Sequence, residues 1–401
     1  MQFTDFTTLD LQRLPSPCFV IDEVAVERNL KILREVGQRS GAKVLQALKA
    51  FSLWSMAPLS EKHLSGTCAS GLHEARLGKD YYGGEVHVFS AAFSQQEFAE
   101  LVGFADHIIF NSCSQLLRFK KQCEQARQTR PELQFGLRIN PEHSEGEVAL
   151  YDPCAEGSRL GITREQLDRY LAQSDFQDAF ALISGLHFHT LCEQDFLPLQ
   201  RTLAAVEEGF SSLLADMTWV NFGGGHHITR PDYQRDALID CIQQFKTRYQ
   251  VEVYLEPGEA VAIGTGVLVT EVLDISFNKL PQVILDTSAT CHMPDTLEMP
   301  YRADITGEVK ATYSSHSFPL YTYRLGGLTC LAGDVMGDYS FAKPLEVGDR
   351  LIFEDMAHYT MVKTTTFNGT KLPAIAIWNS VTDELQIVRE FGYDDFKNRL
   401  S

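Results

Sequence analysis

The chain predicts an α/β fold: a TIM-like (β/α)8 barrel followed by a β-rich second domain. Three observations predict it. Eight short apolar strands alternate with amphipathic helical stretches between Lys43 and Glu256. After about Ile263 strands follow one another with few helices between them. The residues suited to chemistry fall at the C-terminal ends of the eight strands, where barrels carry their sites.

Residues 1–15 are polar and lead into a strand at Pro17–Asp22. Glu23 to Gln38 has helical periodicity, with Val24, Val26, Leu30, Ile32, Leu33 and Val36 on the apolar side. Barrel strands are expected at Lys43–Leu48, Leu64–Ala69, Val86–Ser90, His107–Asn111, Gln134–Ile139, Ile183–His189, Thr218–Phe222 and Glu252–Glu256. Helical patterns separate them, at Leu53–Glu61, Gly71–Lys79, Ser94–Ala105, Cys113–Gln128, Arg164–Gln173, Leu197–Ala215 and Pro231–Tyr249. Further strands are expected at Val267–Asn278, Leu280–Asp286, Ile305–Ser314, Tyr321–Gly327, Arg350–Phe353 and Ala374–Asn379, with Gly333, Gly337, Gly348 and Gly369 marking turns. The early strand precedes the barrel and has no place in its eightfold count. The expected domains are therefore residues 23–263 for the barrel, and 1–22 with 264–401 for the β-rich domain.

Composition narrows the function classes. At 401 residues two domains are expected, and 44% hydrophobic with 22% charged residues is the balance of a soluble globular protein. The 35 basic against 53 acidic residues leave a net charge of −18, which argues against a nucleic-acid or anionic-membrane surface and is compatible with a cationic substrate. Nine cysteines, an odd number at irregular spacing with no CxxC, fit reduced thiols in a cytoplasm and neither a disulfide framework nor a metal site. The N-terminus lacks the basic and apolar regions of a signal peptide, and the longest uncharged stretch, Ala260–Thr270, is too short to span a bilayer.

Strand one ends at Lys49, strand six at His187-Phe188-His189 and strand eight at Glu256-Pro257-Gly258; Asn221-Phe222-Gly223-Gly224-Gly225-His226 follows strand seven. Taken singly these have ordinary readings: a rim lysine paired with a carboxylate, a core histidine, a mouth salt bridge, a tight glycine turn. Taken together they describe a pyridoxal phosphate (PLP) site. A lysine carries the cofactor covalently, glycine N–H groups suit a phosphate, an imidazole can stack on the pyridine, and a carboxylate keeps the ring nitrogen protonated.

The pattern resembles the fold-type III PLP-dependent decarboxylases, the group of ornithine, arginine and diaminopimelate decarboxylases related to alanine racemase. The matching pieces cover nearly the whole chain: Ala47-Leu48-Lys49-Ala50, Leu137-Arg138-Ile139, Ser158-Arg159-Leu160-Gly161, Phe188-His189, Gly223-Gly224-Gly225, Glu256-Pro257-Gly258, Gly327-Leu328-Thr329-Cys330 with Gly333-Asp334, Ala357-His358-Tyr359-Thr360 and Phe367-Asn368-Gly369. The resemblance implies that Lys49 holds PLP, His189 stacks on the ring and Glu256 faces the pyridine nitrogen. It also implies that Gly223, Gly224, Gly225 and Tyr359 bind the phosphate and Arg138 lies below the ring. Cys330 would come from the partner subunit of a head-to-tail homodimer and reprotonate the substrate carbon; Asp334, in the same loop, is a candidate substrate contact. Glu74 resembles an acidic helix start near the cofactor, one residue out of the usual spacing.

Two departures stand out. Glu259 follows Glu-Pro-Gly where the family has arginine, and Leu331 follows the cysteine where the family has an acidic residue for the substrate's far amine. Candidates for that amine are Asp295, Glu298, Asp304 and Asp355, while His292 and Arg302 are candidates for a substrate carboxylate. The ALKAFS, NFGGGHHIT, EPGEA and CHMPDTLEMPYR stretches are similar to the polyamine-biosynthetic branch. That branch implies decarboxylation of carboxynorspermidine and carboxyspermidine to norspermidine and spermidine. Open alternatives are decarboxylation of another basic amino acid (diaminopimelate, ornithine or arginine), a racemase, an inactive regulatory homologue, and a lysine-dependent aldolase barrel without PLP. Glu256 argues against the racemase, because alanine racemases place arginine at the ring nitrogen.

Overall fold

The structure, a computed structural model, describes residues 4–146, 152–310 and 320–401. It divides into two compact units, Arg28–Val261 and Met1–Glu27 with Ala262–Ser401. The first strand of the chain, β1 (Cys18–Asp22), leads directly into the helix Glu23–Ser40, and Gly41 at φ +71° ends that helix.

The barrel strands are β2 (Lys43–Ala47), β3 (Gly66–Ala69), β4 (Glu85–Phe89), β5 (His107–Phe110), β6 (Gln134–Arg138), β7 (Ile183–His187), β8 (Trp219–Asn221) and β9 (Glu252–Leu255). They form a closed parallel barrel in chain order, and β9 seals it by pairing Tyr254 with Lys43 and Leu255 with Val44. Helices start where small polar residues can cap free N–H groups: Ser94 and Thr163 form capping boxes with Glu97 and Gln166. The expected helix at 164–173 is followed by a second one, Ser174–Phe180.

Leu45, Ile109, Trp219 and Tyr254, with Cys68 and Phe89, fill the barrel interior. The indole of Trp219 occupies space left by Gly136 and Gly185; a Cβ at Gly185 would lie 2.0 Å from the ring. Gly185→Ala is therefore expected to destabilise the protein by about 1–3 kcal/mol through overpacking. Urea unfolding measures this, and an unchanged midpoint would show that Trp219 can relocate freely.

The opposite rim to Lys49 is closed by polar residues. Lys43 Nζ lies 2.7 Å from Glu85 Oε1 and 3.2 Å from the Tyr254 hydroxyl, and Glu85 Oε2 lies 3.0 Å from His87 Nε2. The His87 and His107 rings stack at 3.8 Å and 12°. Ligand-type atoms of Glu85, His87 and His107 lie within 4.8 Å of one another. Lys43 already bonds this carboxylate, however, and stacked imidazoles aim their lone pairs alongside each other rather than at one point.

In the other unit, β10 (Gly266–Asn278), β11 (Leu280–Leu285), β12 (Tyr321–Gly326), β13 (Val335–Phe341), β14 (Arg350–Phe353), β15 (Ala374–Trp378) and β16 (Leu385–Arg389) join β1. The sheet order is β13-β12-β11-β10-β1-β15-β16, with β14 on β10. The expected β-rich character is present, and β1 sits centrally, antiparallel to β10 and parallel to β15. Cys18 and Val20 pack there with Phe6, Leu14, Val267, Val269, Ile352 and Trp378.

Strands β13 and β16 were not expected. Gly337 read as a turn residue, yet it lies inside β13 opposite Leu325, beside a register shift in β12. The expected strand at 305–314 reduces to a single bridge from Ile305 to Phe353, with no strand at 306–310; residues 311–314 lie outside the described residues. Among the described residues no helix is long and apolar enough to cross a membrane, and the cysteines are unbridged.

Candidate active site

Lys49 lies two residues beyond β2 in a tight turn, where Ala50 and Phe51 N–H groups donate to the Ala47 carbonyl. Buried Gln46 pins that turn: its Nε2 donates to the Phe51 carbonyl at 2.8 Å and its Oε1 accepts from Ser60 Oγ at 2.6 Å. Lys49 is exposed between buried Leu48 and Ala50, so its amine is presented at the rim.

Across the rim, His189 Nε2 lies 3.5 Å from Lys49 Nζ. His189 Nδ1 accepts the Gly224 N–H at 3.0 Å, which leaves the ring proton of the neutral imidazole on Nε2, facing the lysine. Burial, then the Lys49 and Arg138 cations, push the His189 imidazolium well below the ordinary histidine range. Arg138 is buried, donates from Nη2 to the His189 carbonyl at 3.0 Å and lies 4.5 Å from the Phe89 ring centre. Burial lowers it to about 10, so it remains a cation at neutral pH.

Glu256 follows β9. Its Oε1 accepts from Asn221 Nδ2 at 2.7 Å and its Oε2 lies 3.3 Å from His187 Nε2. Burial opposes its charge, but His187, the field of His87 and the Asn221 hydrogen bond together outweigh that and hold the carboxyl below the usual carboxylate range. Burial in turn lowers His187, which therefore acts as a neutral N–H donor.

The glycine turn differs in one respect from expectation. Gly223 N–H donates to Asn221 Oδ1 at 2.8 Å, and Gly224 N–H donates to His189 Nδ1. Both donors are used inside the site, and among the described residues only the Gly225 N–H of the three lacks a protein acceptor. The three glycines are required sterically: a Cβ on Gly224 or Gly225 would lie 2.0 Å from the Glu256 or Leu191 carbonyl oxygen. Glu259 Oε2 lies 3.1 Å from His227 Nε2. Glu74 accepts the Ser70 N–H at 2.6 Å and so caps its own loop.

In the sheet unit, Cys330 is exposed on the loop between β12 and β13, and its N–H donates to Asn368 Oδ1 at 2.9 Å. Asp334 is buried and organises that loop, accepting from Ser288 Oγ, Thr290 N–H, Thr329 N–H and Thr329 Oγ1. His292 is buried, accepts the Ser288 N–H at 3.2 Å and is lowered to about 4, chiefly by burial. Asp295 Oδ2 accepts from the Tyr301 hydroxyl at 2.6 Å and Thr360 Oγ1 at 3.0 Å, which ties it to the segment carrying Tyr359 (φ +45°). Glu298 pairs with Lys363, and Arg302 pairs with Glu308 while covering the Tyr339 ring.

The structure thus brings Lys49, Arg138, His189, Gly223–Gly225 and Glu256 together in one unit. In the other it links Cys330, Asp334 and His292 through Ser288, Thr329 and the loop itself. Sequence reasoning missed Gln46, His187 and Asn221 as supports; the alternation along β7, which puts His187 on the same side as His189, was the available signal.

Buried neutral histidines also set an acid limit. Burial, reinforced by His87, lowers His107 to about 2, and burial with His227 lowers His226 to about 3, both from an unfolded value near 6.5. The unfolded chain therefore binds these protons first, so stability falls as pH drops below about 6.5, by up to ~1.4 kcal/mol per pH unit for each histidine. Thermal melts at pH 7.5, 6 and 5 are expected to show falling Tm; a flat profile would refute it.

An amine, a neutral imidazole, an ionised carboxylate and a glycine turn at the C-terminal rim of a parallel barrel define a PLP-dependent barrel enzyme. The donor set fits that cofactor: Glu256 offers charge for a protonated ring nitrogen and Gly225 N–H a donor for the phosphate. The family model described as pyridoxal-dependent decarboxylase, C-terminal sheet domain, matches residues 18–357, and the chain belongs to the pyridoxal-dependent decarboxylases. It is 40% identical to the carboxynorspermidine/carboxyspermidine decarboxylase of Campylobacter jejuni, over 97% of this chain and 99% of that one. It is 42% identical to the carboxyaminopropylagmatine decarboxylase of Synechocystis sp., over 97% and 96%. The crystal structure of the Campylobacter jejuni carboxynorspermidine decarboxylase with norspermidine superposes with a TM-score of 0.84, covering 96% of this chain and 100% of that one at 40% identity.

Proposed function

We propose that the chain decarboxylates carboxynorspermidine, and carboxyspermidine, to norspermidine and spermidine with release of CO2 in polyamine biosynthesis. The observation that carries the reaction type is the ionised Glu256 carboxylate, held by neutral donors on the rim that presents Lys49. The relatives carry the substrate class. In this reading residues 23–263 hold the cofactor, and residues 1–22 with 264–401 carry the reactive-cysteine loop.

PLP, when bound, supplies an electron sink for the bonding pair left as CO2 departs. Lys49 holds it covalently, Glu256 keeps its ring nitrogen protonated, and His189 and Arg138 orient the ring. The glycine turn, through Gly225 N–H, and Tyr359 bind its phosphate. Asp295 is 6% exposed and its Oδ1 has no partner among the described residues, which suits it to a cationic substrate nitrogen. Asp334, with its carboxylate already engaged, shapes the loop instead. Cys330, exposed between Leu328 and Leu331, delivers a proton to the substrate carbon of a second copy in a head-to-tail homodimer. Unbridged thiols are consistent with a cytoplasmic enzyme.

A second reading has its own support. The 42% identity to the Synechocystis relative favours carboxyaminopropylagmatine, whose far end is a guanidinium rather than an amine. Release of CO2 from carboxynorspermidine, carboxyspermidine, carboxyaminopropylagmatine, diaminopimelate, ornithine and arginine separates these. The highest kcat/KM is expected for carboxynorspermidine. Preference for the agmatine derivative would move the assignment to the second reading, and preference for one of the last three would overturn both.

A further inference from the structure

We propose that His187 and Asn221 are positioning residues that orient Glu256, and that Asn221 couples this carboxylate to the glycine turn. The inference rests on Glu256 facing the cofactor's ring nitrogen.

Three neighbouring strands bring the groups together. His187 ends β7, Asn221 ends β8 directly opposite it, and Glu256 follows β9, its N–H donating to the Gly223 carbonyl at 2.7 Å. His187 and Asn221 are 1% and 0% exposed, so neither can exchange its partner for water.

The polarity of the network can be read from a donor that cannot reverse. Gly223 N–H can only donate, so the Asn221 atom facing it is the oxygen Oδ1. The other end of the amide is then Nδ2, a donor, and the Glu256 oxygen 2.7 Å away must accept. Glu256 Oε1 is thereby held unprotonated by a chain that begins in the glycine turn. The second oxygen faces His187 Nε2, whose neutral ring satisfies the pair by carrying its proton there.

Neutral donors make a different site from a salt bridge. A directly bonded lysine or arginine would neutralise Glu256, whereas an imidazole and an amide fix both oxygens and leave their charge available to a cation. The other titratable groups whose fields reach this carboxylate are Cys68, His87 and Arg138; of these Cys68, kept a neutral thiol by burial, also hydrogen-bonds to it. Asn221 also holds Gly223 at φ +69°, so one side chain sets both the carboxylate and the start of the turn.

The test compares H187A, H187Q, N221A, N221D and E256Q holoenzymes with the unchanged protein. The readouts are PLP affinity by fluorescence titration, the pH dependence of the cofactor's absorbance spectrum, and kcat and KM separately. Loss of either positioning residue is expected to weaken PLP binding and kcat roughly 10- to 100-fold, with KM changed less. H187Q, which keeps a neutral N–H donor, is expected to recover part of the loss. N221D keeps the acceptor for Gly223 but sets a second carboxylate against Glu256, and is expected to alter the spectrum's pH dependence most. If the His187 and Asn221 variants match the unchanged protein while E256Q is impaired, the positioning role is overturned and the Glu256 assignment stands. If E256Q also matches, the Glu256 assignment itself falls. Should N221A fail to fold, H187A against H187Q decides: equal impairment, without rescue by glutamine, would refute the donor role.

Discussion

Lys49→Ala is expected to abolish covalent PLP attachment and to lower kcat on the order of 10,000-fold or more, while leaving the fold intact. The separation of effects follows from the local structure. The Lys49 side chain is exposed, and its turn is held by Gln46, Ser60 and the Ala47 carbonyl, none of which needs the amine. Stability is therefore expected to change by less than about 0.5 kcal/mol. Lys49→Arg keeps the charge but cannot carry the cofactor, and is expected to be as inactive. Borohydride reduction followed by peptide mapping reads the attachment point directly. Cofactor trapped on any other lysine, or an active Lys49→Ala enzyme, would refute the role.

Cys330→Ala is expected to lower kcat by about 10²- to 10⁴-fold, the range for loss of a positioned proton donor. The thiol is exposed and the bond from Cys330 to Asn368 uses the backbone N–H, which alanine keeps, so folding is expected to survive. The same variant tests the shared site. If Cys330 serves the barrel of a second copy, mixing inactive Lys49→Ala and Cys330→Ala subunits creates one complete site in each mixed dimer. About a quarter of the full activity is then expected to return on random exchange. Failure to recover activity, with exchange of subunits demonstrated, would place the two residues within one copy or remove Cys330 from the reaction.

Much of the site was legible because barrels put chemistry at strand ends. Lys49, the glycine turn and Glu256 each follow a short apolar strand, and strand periodicity is a local property of the chain. The use of each polar group was not legible. Gly223 and Gly224 were expected to offer free N–H groups, yet Asn221 and His189 occupy them. Asp334 was expected near substrate, yet its carboxylate is filled by Ser288, Thr290 and Thr329. Strand β13 was hidden by Gly337, because a glycine that admits the Arg302 side chain alongside its strand looks the same in sequence as one in a turn.

The sequence by itself determined the alternation of strands and helices, the change of character after the barrel, and which residue types stand at the strand ends. These follow from spacing over a few residues. Only the tertiary structure decided which lone pairs and protons remain available. The partners that decide it are far apart in the chain: Lys49 and His189 by 140 residues, His187 and Glu256 by 69, Asn221 and Glu256 by 35. Burial sharpens the distinction, since a buried donor or acceptor must find a protein partner and is then lost to a ligand.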